Sequence, residues 1–188
     1  LVTEETPTKA SHPYAIAHLT GEGFCRAAFN SGQDAVILRV SNGYGAPAWL
    51  EVDRWTLAHN DFSRQAFQTG RIVLRTSGAQ HRDFVGADDI AAATGLVLQS
   101  PRGELGDGVL NVGGRCSMSV FDVALRVQVV ARQRLGIDCP IQRPPAGSTT
   151  APPVDFCISR LEKLGFAPRD WFTEETERLF DLLQRSAR

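Results

Sequence analysis

Short apolar segments alternate with longer segments of helical spacing along most of this chain. The run AVILRV at 35–40 is apolar except for Arg39, which is typical of a strand covered on both faces of a parallel sheet. Further strands are predicted at 71–75, 83–85, 109–112 and 139–143. Helical spacing predicts helices at 14–30, 53–69, 88–99, 117–135, 159–164 and 173–185. The alternation predicts an α/β protein.

Turn-forming and capping residues predict where these elements begin and end. Pro13 is suited to the first turn of a helix, and Gly32, Gly70 and Gly136 follow predicted helices. Serines at 117 and 119 are caps for the fourth helix, and Thr173 with Thr176 makes a weak capping box for the last one. Gly113-Gly114 is interpreted as a turn at a strand end, and the proline-containing segment 144–153 as a loop.

Composition excludes several classes of partner. The formal net charge is -1 with both signs interspersed, so we expect no nucleic-acid partner and no anionic membrane surface. No apolar run approaches the roughly 20 residues of a membrane span, and the N-terminus lacks a signal-peptide pattern, so we expect a cytoplasmic protein. The four cysteines are scattered and the histidines lack metal-ligand spacing, so we expect reduced thiols and no metal site.

One pair of residues has the spacing needed for acid–base chemistry. Tyr14 and His18 are four apart, so on a helix they share one face. A tyrosine that acts as a general acid or base must ionise below its usual pKa of about 10, and a cation one helical turn away favours its ionised form. Taken alone, the pair is a weak signal and is more typical of a buried tyrosine near a surface histidine.

Five blocks around this pair occur in the order found in one enzyme family. The stretch HPYAIAHLTGEGF resembles its P-Y-x-x-S-K-x-x-x-E helix, and LRVSNGYGAP is similar to its L-R-x-x-N-V-Y-G-P block. QHRDFVGADDIAAA resembles R-D-F-V-x-V-D-D-V-A. The stretches LNVGGRCSMSV, and RPP with VDFCISRLEKLGFAP, are similar to the last two blocks. The chain resembles the extended short-chain dehydrogenase/reductases from about 13 to 168.

The resemblance implies the C-terminal half of an NAD(P)-dependent nucleotide-sugar epimerase, dehydratase or reductase. We expect the end of a Rossmann-type parallel-sheet cofactor domain over 1–45. Residues 46–188 are then expected to form mainly a small α/β substrate-binding domain, with some segments returning to the cofactor domain. The sequence has no G-x-G-x-x-G after a strand, so we expect the chain alone to bind NAD weakly and to be inactive.

Site residues follow from the resemblance position by position. Tyr14 matches the catalytic tyrosine, and His18 stands where the family has a lysine that also bonds the nicotinamide ribose. Val40 and Ser41 match the strand end beside the nicotinamide. Lysine is charged at neutral pH, whereas imidazole, with a reference pKa of about 6.5, is mostly neutral, so this departure affects the chemistry.

Substrate contacts are implied at three further positions. Asn42 matches an asparagine that contacts the substrate diphosphate, and Arg82 and Arg143 match basic residues on the same group. Alternatively, Asn42-Gly43 is a turn dipeptide, and each arginine is a surface charge, with Asp83 as a local partner for Arg82.

Two questions about the whole protein stay open at this point. The family commonly dimerises through the tyrosine helix, whose small residues Ala15, Ala17, Gly21 and Gly23 permit close packing, so we expect a homodimer. A non-catalytic protein of the same fold that binds a nucleotide sugar or a partner protein is the alternative, favoured by His18. The sequence leaves the sugar, the nucleotide, and NAD versus NADP undecided.

Overall fold

Strands and helices alternate in the computed structural model, which describes residues 1–145 and 152–186. The helices are α1 (Pro13–Asn30), α2 (Ala58–Thr69), α3 (Ala87–Gln99), α4 (Val120–Leu135), α5 (Ser159–Lys163) and α6 (Phe172–Ser186). The strands are β1 (Ile37–Val40), β2 (Asn42–Tyr44), β3 (Ile72–Val73), β4 (His81–Gly86), β5 (Val109–Val112), β6 (Ser117–Ser119) and β7 (Ile141–Gln142). The predicted α/β class is confirmed. Most of the loop predicted at 144–153 lies outside the described residues.

Parallel pairing dominates the strands. β1 pairs with β5, β2 with β4 and β3 with β7, all in parallel, and only β6 runs antiparallel to its partner β4 among the strands described. Parallel strands covered by helices read as continuous apolar runs, which explains the buried, apolar character of β5.

Two apolar cores lie on opposite sides of β4. Phe84 packs into a core formed with α2, α4 and α6, whereas Val85 packs into a core formed with α3, α5 and β5. Successive side chains of a strand point to opposite faces, so one strand serves both cores. The division of the chain at residue 45 into two domains stays a prediction.

Local capping fixes several helix ends as the sequence predicts. Gly70 and Gly136 adopt left-handed conformations at the ends of α2 and α4. At the start of α4, the Ser119 hydroxyl accepts from Asp122 N at 3.0 Å and the Asp122 carboxylate accepts from Ser119 N at 2.9 Å. The hydrogen bond from Ser119 lowers the pKa of Asp122.

Several local predictions are wrong. α2 begins at Ala58 rather than at 53. α6 begins at Phe172, whose N–H donates to Asp170 at 3.1 Å, so Thr173 and Thr176 lie inside the helix. The Asn42-Gly43 dipeptide, for which a turn was the alternative interpretation, forms β2, because it pairs with Phe84 and Val85 of β4.

A buried carboxylate joins three of these segments. Asp83 in β4 is 2% exposed, and it accepts hydrogen bonds from Ser41 Oγ at 2.7 Å and from the N–H groups of Gly114 and Cys116, each at 2.9 Å. Gly114 lies so close to β4 that a Cβ there would fall 1.9 Å from the Phe84 oxygen. The turn after β5 is therefore held against β4 by Asp83.

The sequence predicts no membrane-spanning segment. Among the described residues, none of the helices has the length and apolar content that a membrane crossing requires.

Replacing Asp83 by alanine should destabilise the fold strongly. The change leaves a hydroxyl and two N–H groups without their acceptor, and each unsatisfied buried donor costs about 1–3 kcal/mol, so we expect a loss of about 3 kcal/mol or more. Urea unfolding measures it. Asp83→Asn, which keeps one acceptor oxygen, should lose less. The exposed Asp34→Ala is the control, and a loss under about 1 kcal/mol in Asp83→Ala would contradict the role of this carboxylate.

Candidate functional site

A long open groove runs between α1 and β1. Its volume is about 950 Å³, and its lining includes Tyr14 and His18 from α1 together with Val40 and Ser41 at the end of β1. The structure therefore brings together the four residues that the sequence implied for the cofactor side. We call this cavity the tyrosine groove.

The start of α1 sets the position of the tyrosine. His12 caps the helix, its Nδ1 accepting from Tyr14 N at 3.3 Å, and Pro13 follows in the first turn. Tyr14 is 70% exposed, and its ring centroid lies 4.4 Å from that of His18. No described residue hydrogen-bonds to the Tyr14 hydroxyl, so this group is available to a ligand.

An ion pair sets the spacing of α1 and β1. Arg39 donates to the two carboxylate oxygens of Glu22 at 2.9 and 2.6 Å and to the Glu4 carbonyl at 2.9 Å. Both side chains of the pair are largely buried. Sequence reasoning gave these residues no role, although Glu22 and Arg39 occupy named positions of the first two blocks. The pair fixes the width of the tyrosine groove.

A second, smaller cavity begins where the groove ends. Its volume is about 130 Å³, and Asn42 and Arg82 line it. Asn42 Nδ2 donates to the Asp83 carbonyl at 3.0 Å, and Arg82 Nη1 donates to the His81 carbonyl at 2.8 Å. We call this cavity the arginine pocket.

Arg82 does not form the local ion pair that the alternative interpretation assigned to it. The Asp83 side chain is buried on the other face of β4, where it bonds Ser41. Arg82 is exposed on the pocket face and has no carboxylate partner among the described residues. Its guanidinium therefore remains available to an anion.

Arg143 lies apart from both cavities. Its guanidinium stacks 3.5 Å from the Phe121 ring centroid, and Nη1 donates to the Ser77 carbonyl at 2.8 Å. Arg143 thus supports the segment before β4, and the structure does not bring it beside Asn42 and Arg82.

A buried histidine forms part of the wall of the arginine pocket. His59 lies with Nδ1 3.1 Å from Asn60 Oδ1 and Nε2 2.8 Å from Thr176 Oγ1. Burial, assisted by the positive charge of Arg126, lowers the pKa of His59 to about 4. The hydrogen bond with Asn60 acts in the opposite direction and raises this pKa. The ring is therefore neutral at pH 7. Sequence reasoning only excluded His59 as a metal ligand and missed its burial, which depends on the distant helix α6.

Comparisons with known proteins identify what the chain is similar to. The model of the NAD dependent epimerase/dehydratase family matches residues 2–113. The uncharacterized UDP-glucose epimerase YtcB of Bacillus subtilis is 29% identical over 134 residues, which is 71% of this chain and 40% of that protein.

Solved structures share the fold. RMD from Pseudomonas aeruginosa, complexed with NADPH, has a TM-score of 0.78 at 17% identity over 98% of this chain and 60% of its own. A UDP-N-acetylglucosamine 4-epimerase from Methanobrevibacter ruminantium, in complex with UDP-N-acetylmuramic acid, has a TM-score of 0.72 at 26% identity, over 97% and 58%. The expected Rossmann-type α/β fold is confirmed, and the chain spans about 60% of these structures' length.

The buried histidine predicts acid sensitivity of the fold. Because the folded-state pKa of His59 is about 4 and the unfolded value is 6.5, the unfolded chain binds more protons between these values. The stability that neutral His59 contributes is thus complete above pH 6.5 and is lost as the pH falls toward 4. We expect a loss of about 3 kcal/mol in total, with a slope up to about 1.4 kcal/mol per pH unit.

Urea unfolding from pH 7.5 to 4.5 measures this dependence. His59→Gln, which does not titrate, should show a flatter profile, and the exposed His18→Gln should match the wild type. Equal slopes for wild type and His59→Gln would show that other groups cause the acid sensitivity.

Proposed function

The chain belongs to the NAD dependent epimerase/dehydratase family, and on that premise we propose that it acts on a nucleotide sugar with NAD or NADP. The reaction is epimerisation, dehydration or reduction at a sugar carbon. The observation that carries the proposal is the meeting of two cavities at consecutive residues: Ser41 lines the tyrosine groove and Asn42 lines the arginine pocket. A ligand with its sugar in the groove can thus place its diphosphate in the pocket.

The tyrosine groove fits a nicotinamide riboside. Its lining combines a phenol and an imidazole, which bond ribose hydroxyls, with the apolar side chain of Val40, which packs against a planar ring. When bound there, NAD(P) supplies the hydride acceptor or donor. Tyr14, His18, Val40 and Ser41 are the residues that hold it in this proposal.

Tyr14 exchanges the proton in the proposed reaction. As the ionised phenolate it takes a proton from a sugar hydroxyl as the carbon is oxidised, and as the neutral phenol it gives one to a keto oxygen as the carbon is reduced. The adjacent His18 holds the tyrosine ring and bonds the ribose. A lysine in its place would add a permanent positive charge beside the phenol.

The arginine pocket binds the diphosphate in this proposal. The guanidinium of Arg82 offers a planar fork of donors that matches phosphate oxygens, and Asn42 adds an amide. Arg143 also stays a proposed contact of the diphosphate, although its guanidinium already donates to the Ser77 carbonyl.

A homodimer through α1 is the proposed assembly. On the side of α1 away from the groove, Ile16 is 49% and Phe24 74% exposed. A Cβ added at Gly23, on the same side, would meet nothing within 4 Å. Glycine inside a helix costs about 1 kcal/mol relative to alanine, and close packing against a second helix offsets that cost.

A non-catalytic nucleotide-sugar-binding protein is the second candidate. The observation that favours it is His18, which leaves Tyr14 without a neighbouring lysine. Binding through Asn42 and Arg82 is common to both candidates, so only turnover distinguishes them.

The catalytic candidate predicts that Tyr14→Phe lowers turnover of the full-length protein by at least about 100-fold, the usual contribution of a general acid or base. His18→Lys should raise turnover near pH 7 by up to about tenfold and move the pH optimum downward, because lysine keeps its charge where imidazole is mostly neutral. The pH dependence of turnover with a nucleotide sugar measures both. Undiminished activity in Tyr14→Phe would remove the catalytic assignment, and a change in cofactor affinity alone in His18→Lys would restrict His18 to ribose binding.

The dimer predicts that Phe24→Glu yields a monomer. An unpaired carboxylate buried in each half of the interface should raise the dissociation constant of the dimer at least tenfold, which corresponds to about 1.4 kcal/mol. Light scattering at micromolar concentrations measures the mass. Leu98→Glu on α3, which also changes a highly exposed apolar side chain, is the matched control. A wild-type monomer would contradict the dimer directly.

A further inference from the structure

The first turn of α1 is capped by a side chain that can change its charge. His12 Nδ1 accepts from Tyr14 N–H at 3.3 Å, and the backbone of His12 is extended, as is usual at a helix N-cap. Pro13, which follows, has no N–H. Tyr14 therefore carries the first N–H of the helix, and no other described residue accepts from it. One imidazole nitrogen thus satisfies the first donor of the helix that presents Tyr14.

An imidazole differs in one respect from the side chains that usually cap helices. Serine, threonine and asparagine keep an acceptor oxygen at every pH, whereas imidazole, with a reference pKa of about 6.5, changes its charge between pH 5 and 8. A neutral imidazole has one nitrogen that accepts, but an imidazolium carries N–H on both nitrogens. Protonation of His12 would turn an N–H toward the N–H of Tyr14. The cap therefore requires the neutral ring.

The helix dipole acts in the same direction as the lost hydrogen bond. The N-terminal end of a helix is its positive end, so a charge on His12 is unfavourable there. Few other contacts hold Tyr14, which is 70% exposed and whose ring centroid lies 4.4 Å from that of His18. Loss of the cap would leave this ring contact as the main restraint on the tyrosine.

The segment before α1 offers His12 no counter-charge. No described carboxylate forms an ion pair with His12, and no described residue hydrogen-bonds to its Nε2. Glu4 and Glu5, at the other end of the segment, are paired with Arg160. Lys9 lies between them and the helix, and it lines the tyrosine groove. Its ammonium adds to the positive charge at the start of α1.

The groups on β1 and on α1 itself are largely fixed in charge near neutral pH. Arg39 of β1 is paired with Glu22 of α1, and the thiol of Cys25 lies along the same groove. Guanidinium, carboxylate, thiol and phenol groups change charge little between pH 5.5 and 7.5, whereas imidazole changes most of its charge there. His12 and His18 are therefore the groups around Tyr14 whose charge is expected to change in this range.

We infer that His12 is a pH-dependent positioning residue: its neutral ring holds Tyr14 in place beside the tyrosine groove, and its protonation releases the first turn of α1. The release depends on the fold alone. Its consequence for turnover rests on the proposed function, in which Tyr14 exchanges a proton with the sugar. Turnover should fall as His12 becomes charged, because the phenol is then no longer held in position.

Hydrogen exchange at the Tyr14 amide measures the release directly. The chain has two tyrosines, so labelling with ¹⁵N-tyrosine gives one amide signal from Tyr14 and one from Tyr44. Tyr44 is buried in β2, and its chemical shift reports that the fold is intact. From pH 7.5 to 5.5, the protection of the Tyr14 amide, relative to an unstructured peptide at the same pH, should fall about fivefold, the usual contribution of an N-cap.

Three variants separate the cap from other effects of acid. His12→Asn supplies an acceptor that does not titrate, so the protection of the Tyr14 amide should stay constant over this range. His12→Ala has no acceptor, so the protection should be about fivefold below the wild-type value at pH 7.5 and should not fall further. His18→Gln removes the other imidazole beside Tyr14 and should keep the pH dependence of the wild type.

Turnover of a nucleotide sugar by the full-length protein tests the consequence. Between pH 7.5 and 5.5, wild type should lose up to about fivefold more turnover than His12→Asn, and His12→Ala should be slower than His12→Asn at both pH values. Rescue by asparagine but not by alanine distinguishes the acceptor from the bulk of the ring.

Each outcome bears on a separate claim. If the protection of the Tyr14 amide does not fall in the wild type, or falls equally in His12→Asn, the inference is overturned. If the exchange behaves as expected but wild type and His12→Asn share one pH profile of turnover, the positioning role of His12 in the reaction is wrong. If no nucleotide sugar is turned over, the proposed function is wrong, whereas the release of Tyr14 is still decided by the exchange measurement.

Discussion

The buried carboxylate of Asp83 is the interaction on which the arrangement of the two cavities depends. Its oxygens accept from the Ser41 hydroxyl and from the N–H groups of Gly114 and Cys116. A buried carboxylate is tolerated only when its lone pairs are satisfied, so these three donors must stay in place. Ser41 lines the tyrosine groove and its neighbour Asn42 lines the arginine pocket. The same hydrogen bonds that stabilise β4 therefore fix the distance between the two cavities.

Successive side chains of β4 point to opposite faces, so the position of this strand determines which residues line each face. Arg82 and Phe84 point toward the arginine pocket, whereas Asp83 and Val85 point toward the β5 side. A shift of β4 by one residue would exchange the two faces and would bury Arg82 in place of Asp83. Because burying a guanidinium without a partner is costly, the register of β4 is strongly specified, and with it the exposure of Arg82.

Sequence alone predicts the elements whose signal is local. α1, α3 and β5 are recovered nearly residue for residue, because continuous apolar runs and helical periodicity determine them. β2 is missed because its strand conformation depends on pairing with β4, which is distant in sequence. In the site, Tyr14 and His18 are neighbours by helical spacing alone. The role of Asp83 and the burial of His59 depend on contacts with Gly114 and Thr176 that no local pattern reveals.

The tyrosine groove and the arginine pocket differ in the charge of their lining residues. In the tyrosine groove the strongest cation, Arg39, is neutralised by Glu22, which leaves His18 and Lys9 as the basic residues along its lining without an ion-pair partner among the described residues. In the arginine pocket, Arg82 faces the cavity with its charge uncompensated, and the nearby His59 is neutral at pH 7. In the proposed function, an anionic ligand would therefore be anchored by its phosphates at Arg82, with its uncharged part extending toward Tyr14. In that proposal, binding and chemistry draw on different residues, so changes at position 18 should alter turnover without weakening phosphate binding.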